Sequence, residues 1–207
     1  IIGARKLQDV VLEGPEGISV IPGASGLCDL ADCSEGDRRE LLHQLAEMEQ
    51  NHDYIVVDTG AGIHRAVRQL VTAADVALVV TTPEPTSIAD AYAGIKALSG
   101  NDVPIMEVVV NRAESSRQAR AIMEGLQNTV RLFLRTSIAT AGTIPDDDNV
   151  PVAVSRRQPF LINSPHCAAS AAVRQLARRM TNLAQSQPSR GSFFPRVGES
   201  LTVTRAA

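Results

Sequence analysis

Four short stretches hold the side chains whose types and spacing could do chemistry. The first is Asp58-Thr59-Gly60-Ala61-Gly62, directly after the apolar run at residues 54–57. A carboxylate leaving a strand can hold a magnesium ion through a water, because hard cations want oxygen ligands. Gly60 and Gly62 would let the backbone approach a terminal phosphate and donate N–H groups to it. The same residues read equally well as a helix cap, Asp58, followed by a turn. The second is Thr82-Pro83-Glu84-Pro85-Thr86-Ser87, where two prolines fix a loop and Ser87 is placed to cap a helix. It suits a rigid wall beside a ligand or an interface, and equally a tight strand-to-helix connection. The third is Asn111-Arg112, whose amide offers both a donor and an acceptor to a base edge, or else satisfies turn backbone. The last is Ile144-Pro145-Asp146-Asp147-Asp148, an acidic cluster that suits a metal or the N-terminus of a helix starting near Asn149.

All four stretches follow apolar, β-favouring runs. Strands are expected at residues 18–22, 54–57, 76–80, 105–110 and 137–144, the last weakened by Gly142. Helical periodicity separates them, at 35–49 with Asp37 as a candidate cap, 64–74, 87–98, 116–134 and 165–184. Strands apolar on both faces, alternating with helices, imply an α/β fold: a doubly wound, mostly parallel sheet with helices on both faces. Right-handed crossovers then bring every strand's C-terminal end to one edge, where such sheets bind ligands. One domain is expected over residues 1–185. From residue 186 onward Pro, Ser, Gly and Arg accumulate, so 186–207 reads as a disordered tail.

The chain of 207 residues has an apolar fraction of 44% and a net charge of −3, so nothing global argues for nucleic-acid binding. No run approaches the ~18 apolar residues of a membrane span. Its three cysteines, Cys28, Cys33 and Cys167, lack C-x-x-C spacing and read as reduced thiols in a cytoplasmic protein. The chain opens inside an apolar stretch without a Met, so a missing N-terminal segment is expected.

Together, Tyr54-Ile-Val-Val-Asp-Thr-Gly-Ala-Gly-Ile63, Val79-Val-Thr-Thr-Pro-Glu-Pro-Thr-Ser-Ile-Ala-Asp-Ala-Tyr92 and Val108-Val-Val-Asn-Arg112 resemble the MinD/ParA superfamily of deviant Walker ATPases. The second segment, running on to Lys96, is most similar to the FlhG (FleN) branch, which regulates flagellar number and placement. Ile21-Pro-Gly-Ala-Ser-Gly26 and Ile144-Pro-Asp-Asp147 fit that branch too. The resemblance implies a P-loop ATPase that binds ATP with magnesium. It implies a homodimer around ATP, released by hydrolysis. It puts Asp58 at the magnesium-linked position, Gly60 to Gly62 on switch II, Asn111 and Arg112 at the adenine, and Pro145 and Asp146 in the loop over the ring. Implied partners are a flagellar GTPase or transcription regulator, and the implied place is the cytoplasm, peripheral at the inner membrane or cell pole.

The family's Gly-rich phosphate loop, with a Lys followed by Ser or Thr, is absent, as is the switch I aspartate. Neither Lys6 nor Lys96 lies in such a context, so the chain alone is expected to bind ATP weakly and not to hydrolyse it. In the tail, Phe193-Phe194 between Arg190 and Arg196 offers a weak membrane contact, and Pro195 is expected to break any helix there. The final helix's Arg174, Arg178 and Arg179 read as a solvated face. Other readings are a non-catalytic interaction module or degenerate homologue, a MinD-type division-site or ParA-type partitioning protein, and a phosphoacceptor receiver domain. The receiver reading wants a Lys where Asn111-Arg112 stands.

Overall fold

The computed structural model describes residues 7–22, 34–59, 62–100, 104–186 and 190–203, the last three as backbone. Gly60, Gly23 to Gly26, Cys28, Cys33 and Lys6 lie outside the described residues. The chain divides into two compact units, residues 1–74 with 190–207 and residues 75–189, where the sequence suggested one domain followed by a tail.

In the first unit, β1 (Leu12–Glu13) and β2 (Ser19–Val20) form a short antiparallel hairpin. The expected strand at 18–22 is thus cut to two residues and does not join the parallel sheet. Helix α1 (Glu35–Glu49) begins where Ser34 Oγ accepts from Asp37 N at 3.2 Å, so Ser34 is the cap and Asp37 the third helical residue. Residues 54–57 form no strand, and Val56 is 93% exposed. A run apolar on both faces needs a partner strand, and none of the described residues pairs with it. Helix α2 (Arg65–Ala73) follows.

The second unit holds the parallel sheet in the order β3 (Val76–Thr81), β4 (Ile105–Ala113), β5 (Ala139–Pro145). Helices α3 (Pro85–Leu98) and α4 (Ser116–Leu134) make the crossovers. They cover one face, where Ile95, Val108, Met123, Leu126 and Val130 are buried together. Helix α3 begins on Pro85, and its N-cap is Glu84. Ser87 does not cap it, because Ser87 Oγ accepts from Thr82 N at 2.9 Å and ties the preceding loop instead. Gly142, at φ 145°, lets β5 skip Ala141 in its pairing with β4, which is the bulge that weakened the strand signal. Beyond β5 come α5 (Asn149–Ser155), α6 (Phe160–Asn163) and α7 (Ala168–Ser186).

Helix α7 packs along β5 on the sheet's other face, so helices lie on both faces. Its Arg179 is exposed, as expected, but it is more than a solvated side chain. Nε and Nη2 each donate at 2.7 Å to the carboxylate of Glu107, which is only 2% exposed on β4. The carboxylate raises the Arg179 pKa further by hydrogen bonding.

The tail is helical where the sequence suggested disorder: α8 (Phe193–Val203) completes the first unit. Its Phe193, Phe194 and Val197 are buried with Leu7, Leu45, Leu70 and Ala73. The two rings meet edge to face, with centroids 5.0 Å apart. Pro195 does not break this helix, because in the first turn its missing N–H would have had no intrahelical partner. The N–H groups of Phe193 and Phe194 are instead met by the Glu49 carboxylate, at 2.6 and 3.2 Å. Two buried rings cannot serve as the membrane contact considered for them.

Candidate functional site

The loops leaving β3, β4 and β5 meet at one edge of the second unit, because the strands are parallel. Arg112 is their common point. Its Nη1 lies 3.8 Å from Glu84 Oε1, after β3, and its Nε 3.5 Å from Asp146 Oδ1, after β5. These pairs are well exposed, so they fix loop positions more than they stabilise the fold. Glu84 is held below its ordinary carboxylate pKa, first by the Thr82 hydroxyl and more weakly by Arg112. Arg112 adopts φ 57° inside β4, where the pairing with β5 shifts between Val110 and Ala113. The irregularity is tied by Asn111 Oδ1, which accepts from Arg112 N at 3.0 Å. The oxygen keeps a second lone pair, and its NH2 group carries two donors, so Asn111 still presents a donor–acceptor edge. Asp146 N donates to Ala113 O at 3.0 Å and draws the Pro145-Asp146 loop against the end of β4.

This unit therefore gathers Asn111, Arg112, Pro145 and Asp146, with Glu84 added. Glu84 lies within the loop motif 82–87, whose sequence alone marks no site role for it. Asp58, exposed, and Gly62 belong to the first unit. Gly62 sits at φ 117°, and a Cβ there would come within 3.1 Å of the His64 ring, so the position demands glycine.

The three aspartates at 146–148 do not converge on a metal. Asp146 turns to Arg112, while Asp147 Oδ1 accepts from Asn149 N at 3.0 Å and Nδ2 at 2.7 Å. Asp147 Oδ2 accepts at 3.0 Å from Ala169 N, in the first turn of α7. Asp148 stands at the N-cap of α5. No group of three metal-ligating side chains exists among the described residues. Asp147 thus joins the post-β5 loop to the start of α7. Its only sequence signal was Asp-x-Asn ahead of a helix.

The Asp147 carboxyl is held far below its ordinary range, first by the Ala169 N–H and then by Asn149. A depressed folded pKa contributes stability above the unfolded value of about 3.9 that is lost as pH falls through the folded one. The melting-temperature gap between the wild type and Asp147→Asn is expected to be full above about pH 4 and to shrink below it. A gap unchanged between neutral pH and about pH 2 rules out this linkage.

No protein-family model matches the chain. It is 34% identical over 181 residues to the antiactivator FleN of Pseudomonas aeruginosa, covering 87% of this chain and 65% of the relative. It is 39% identical over 127 residues to the flagellum site-determining protein YlxH of Helicobacter pylori, covering 60% and 42%. The chain therefore spans less than two thirds of the length of these curated relatives. Among solved structures, it matches the MinD cell division protein of Aquifex aeolicus with a TM-score of 0.64 and 25% identity, over 91% of this chain and 74% of that one.

Proposed function

Since the chain belongs to the MinD/ParA superfamily of P-loop ATPases, we propose that it carries the base-binding edge and the magnesium-linked aspartate of an ATP-driven switch that regulates flagellar number or placement. The observation that carries this reading is the convergence of three strand-end loops on Arg112, with the amide of Asn111 beside it. Asn111 would take the adenine edge through its NH2 donors and the free lone pair of Oδ1. Pro145 and Asp146 would close over the ring. In the first unit, Asp58 would hold magnesium through a water, and Gly60 and Gly62 would face the terminal phosphate. The flagellar role rests on the printed names of the FleN and YlxH relatives. The parent is proposed to dimerise around ATP and to act on a flagellar GTPase or transcription regulator. Its proposed place is the cytoplasm or the cell pole. No described helix is long and apolar enough to cross a membrane.

The residues present would supply the base end of the nucleotide site and part of its phosphate end, but not the phosphate loop. No Lys followed by Ser or Thr closes a Gly-rich stretch anywhere in the 207 residues. Most of the binding energy for ATP would come from such a loop and its lysine. Calorimetric titration of this chain with Mg-ATP is expected to show no micromolar affinity and no hydrolysis. At millimolar ATP, amide shifts are expected at Asn111, Arg112 and Asp146. Micromolar binding overturns the first expectation; shifts confined to other residues overturn the base site. The coding sequence upstream of Ile1 tests the ATPase reading itself: a Lys-Thr or Lys-Ser phosphate loop supports it, and its lack favours a non-catalytic interaction module.

A further inference from the structure

Consecutive side chains after β5 turn opposite ways. Asp146 faces the strand-end edge, where its Oδ1 lies 3.5 Å from Arg112 Nε. Asp147 turns to α7 instead. Its Oδ1 accepts from Asn149 N at 3.0 Å and Nδ2 at 2.7 Å, and its Oδ2 from Ala169 N at 3.0 Å. The Cys167 thiol bonds to the same carboxylate. These donors occupy the roughly four acceptor sites of a carboxylate, which leaves none for a ligand or a metal. The Asp147 carbonyl accepts from Val150 N at 3.0 Å, so its backbone is tied to the start of α5 as well.

Pro145 ends β5 opposite Ala113, and Asp146 N donates to Ala113 O at 3.0 Å, which holds the loop to the sheet on one side. The other hold on Asp146 is its pair with Arg112, which is well exposed and therefore weak. Beyond Asp146 the chain leaves the sheet, and Asp147 fastens it to a long helix. That helix, α7, is buried at Ala169 and Ser170 in its first turn and clamped to β4 further on through Arg179 and Glu107. Hydrogen bonds to an ionised acceptor are the strong ones, so the Asp147 bonds outweigh the exposed pair.

We propose that Asp147 is a positioning residue for the base site: it fastens the loop after β5 to α7 and so holds Pro145 and Asp146 where they meet the ring. The role rests on Asn111 and Arg112 forming the base-binding edge. A loop already fixed loses no freedom when the nucleotide arrives, so the tether adds to affinity without touching the ligand.

The 207-residue chain is titrated with millimolar Mg-ATP, and affinity is read from the initial slope of the amide shifts at Asn111, Arg112 and Asp146. Asp147→Asn keeps one oxygen for Asn149 and turns an NH2 group toward Ala169 N, which breaks the tether with little change of shape. It is expected to weaken ATP about tenfold. Before any ATP is added it should also lower the amide order parameters at 146–148 while those at 107–110 hold. Asp147→Ser keeps the local turn but cannot reach α7, so it is expected to act alike and serves if the first variant does not fold. Leu126→Ala hollows the core on the sheet's other face and controls for general loosening. It should leave ATP affinity within about twofold of the wild type. Equal weakening by Leu126→Ala, or unchanged affinity in a folded Asp147 variant, overturns the proposal while the base site stands. Wild-type shifts confined to other residues remove the base site and this role with it.

Discussion

Replacing Arg179 with alanine is expected to destabilise the second unit by about 3 kcal/mol, the low end of the range for breaking a buried pair. The reason lies at Glu107, which is 2% exposed near the start of β4 and receives both hydrogen bonds from Arg179. Without Arg179 the carboxylate keeps its desolvation cost and loses its partner. The low end applies because 44% of the Arg179 side chain is already in water, so solvent screens the pair and relaxes around the change. The double variant Glu107→Met/Arg179→Met removes the stranded charge and is expected to recover most of the loss. Urea unfolding monitored in β4 and β5 measures both. A single variant within about 0.5 kcal/mol of wild type would show the pair to be energetically idle.

Phe194→Ala should have a comparable effect in the first unit, about 3–4 kcal/mol, as for other large-to-small changes at buried aromatic sites. Phe194 is buried with Leu45 of α1 and Leu70 of α2, so its loss opens a cavity shared by three helices. Native-state hydrogen exchange gives the cleanest readout, because the chain has two units and need not unfold in one step. Amides of α1 and α2 are expected to exchange several hundredfold faster, the equivalent of about 3–4 kcal/mol, with β4 unchanged. Exchange in α1 and α2 that ignores the substitution would return residues 193–203 to the status of a solvated tail.

These two positions also show how far local reasoning reached. Arg179 sits on a helix whose periodicity is plain, yet nothing local tells a surface arginine from one that reaches an acid 72 positions earlier in the chain. The sequence hint was Glu107 itself, a lone charge inside the apolar run 105–110. Phe193-Phe194 was read through Pro195 and the polar residues around it. Pro at the third position of a helix is harmless, and the Glu49 carboxylate that caps the helix lies 144 residues away. Asp147 was legible as a capping residue, but its bond to Ala169 was not.

By itself the sequence determined the elements whose stabilising contacts are local or follow a period. Helix α4 runs over the predicted 116–134, and strands β3 and β4 lie within one to three residues of expectation, because heptad-like spacing and continuous apolar runs are written in neighbouring positions. Motif order along those strands was enough to place the chain in its family. Tertiary structure alone decided what depends on a partner distant in the chain. It left residues 54–57 without a strand neighbour, folded the tail into a helix, and joined three loop ends through Arg112. A strand, a cap or an ion pair takes its energy from the group that meets it, and that group's place is set by the packed chain.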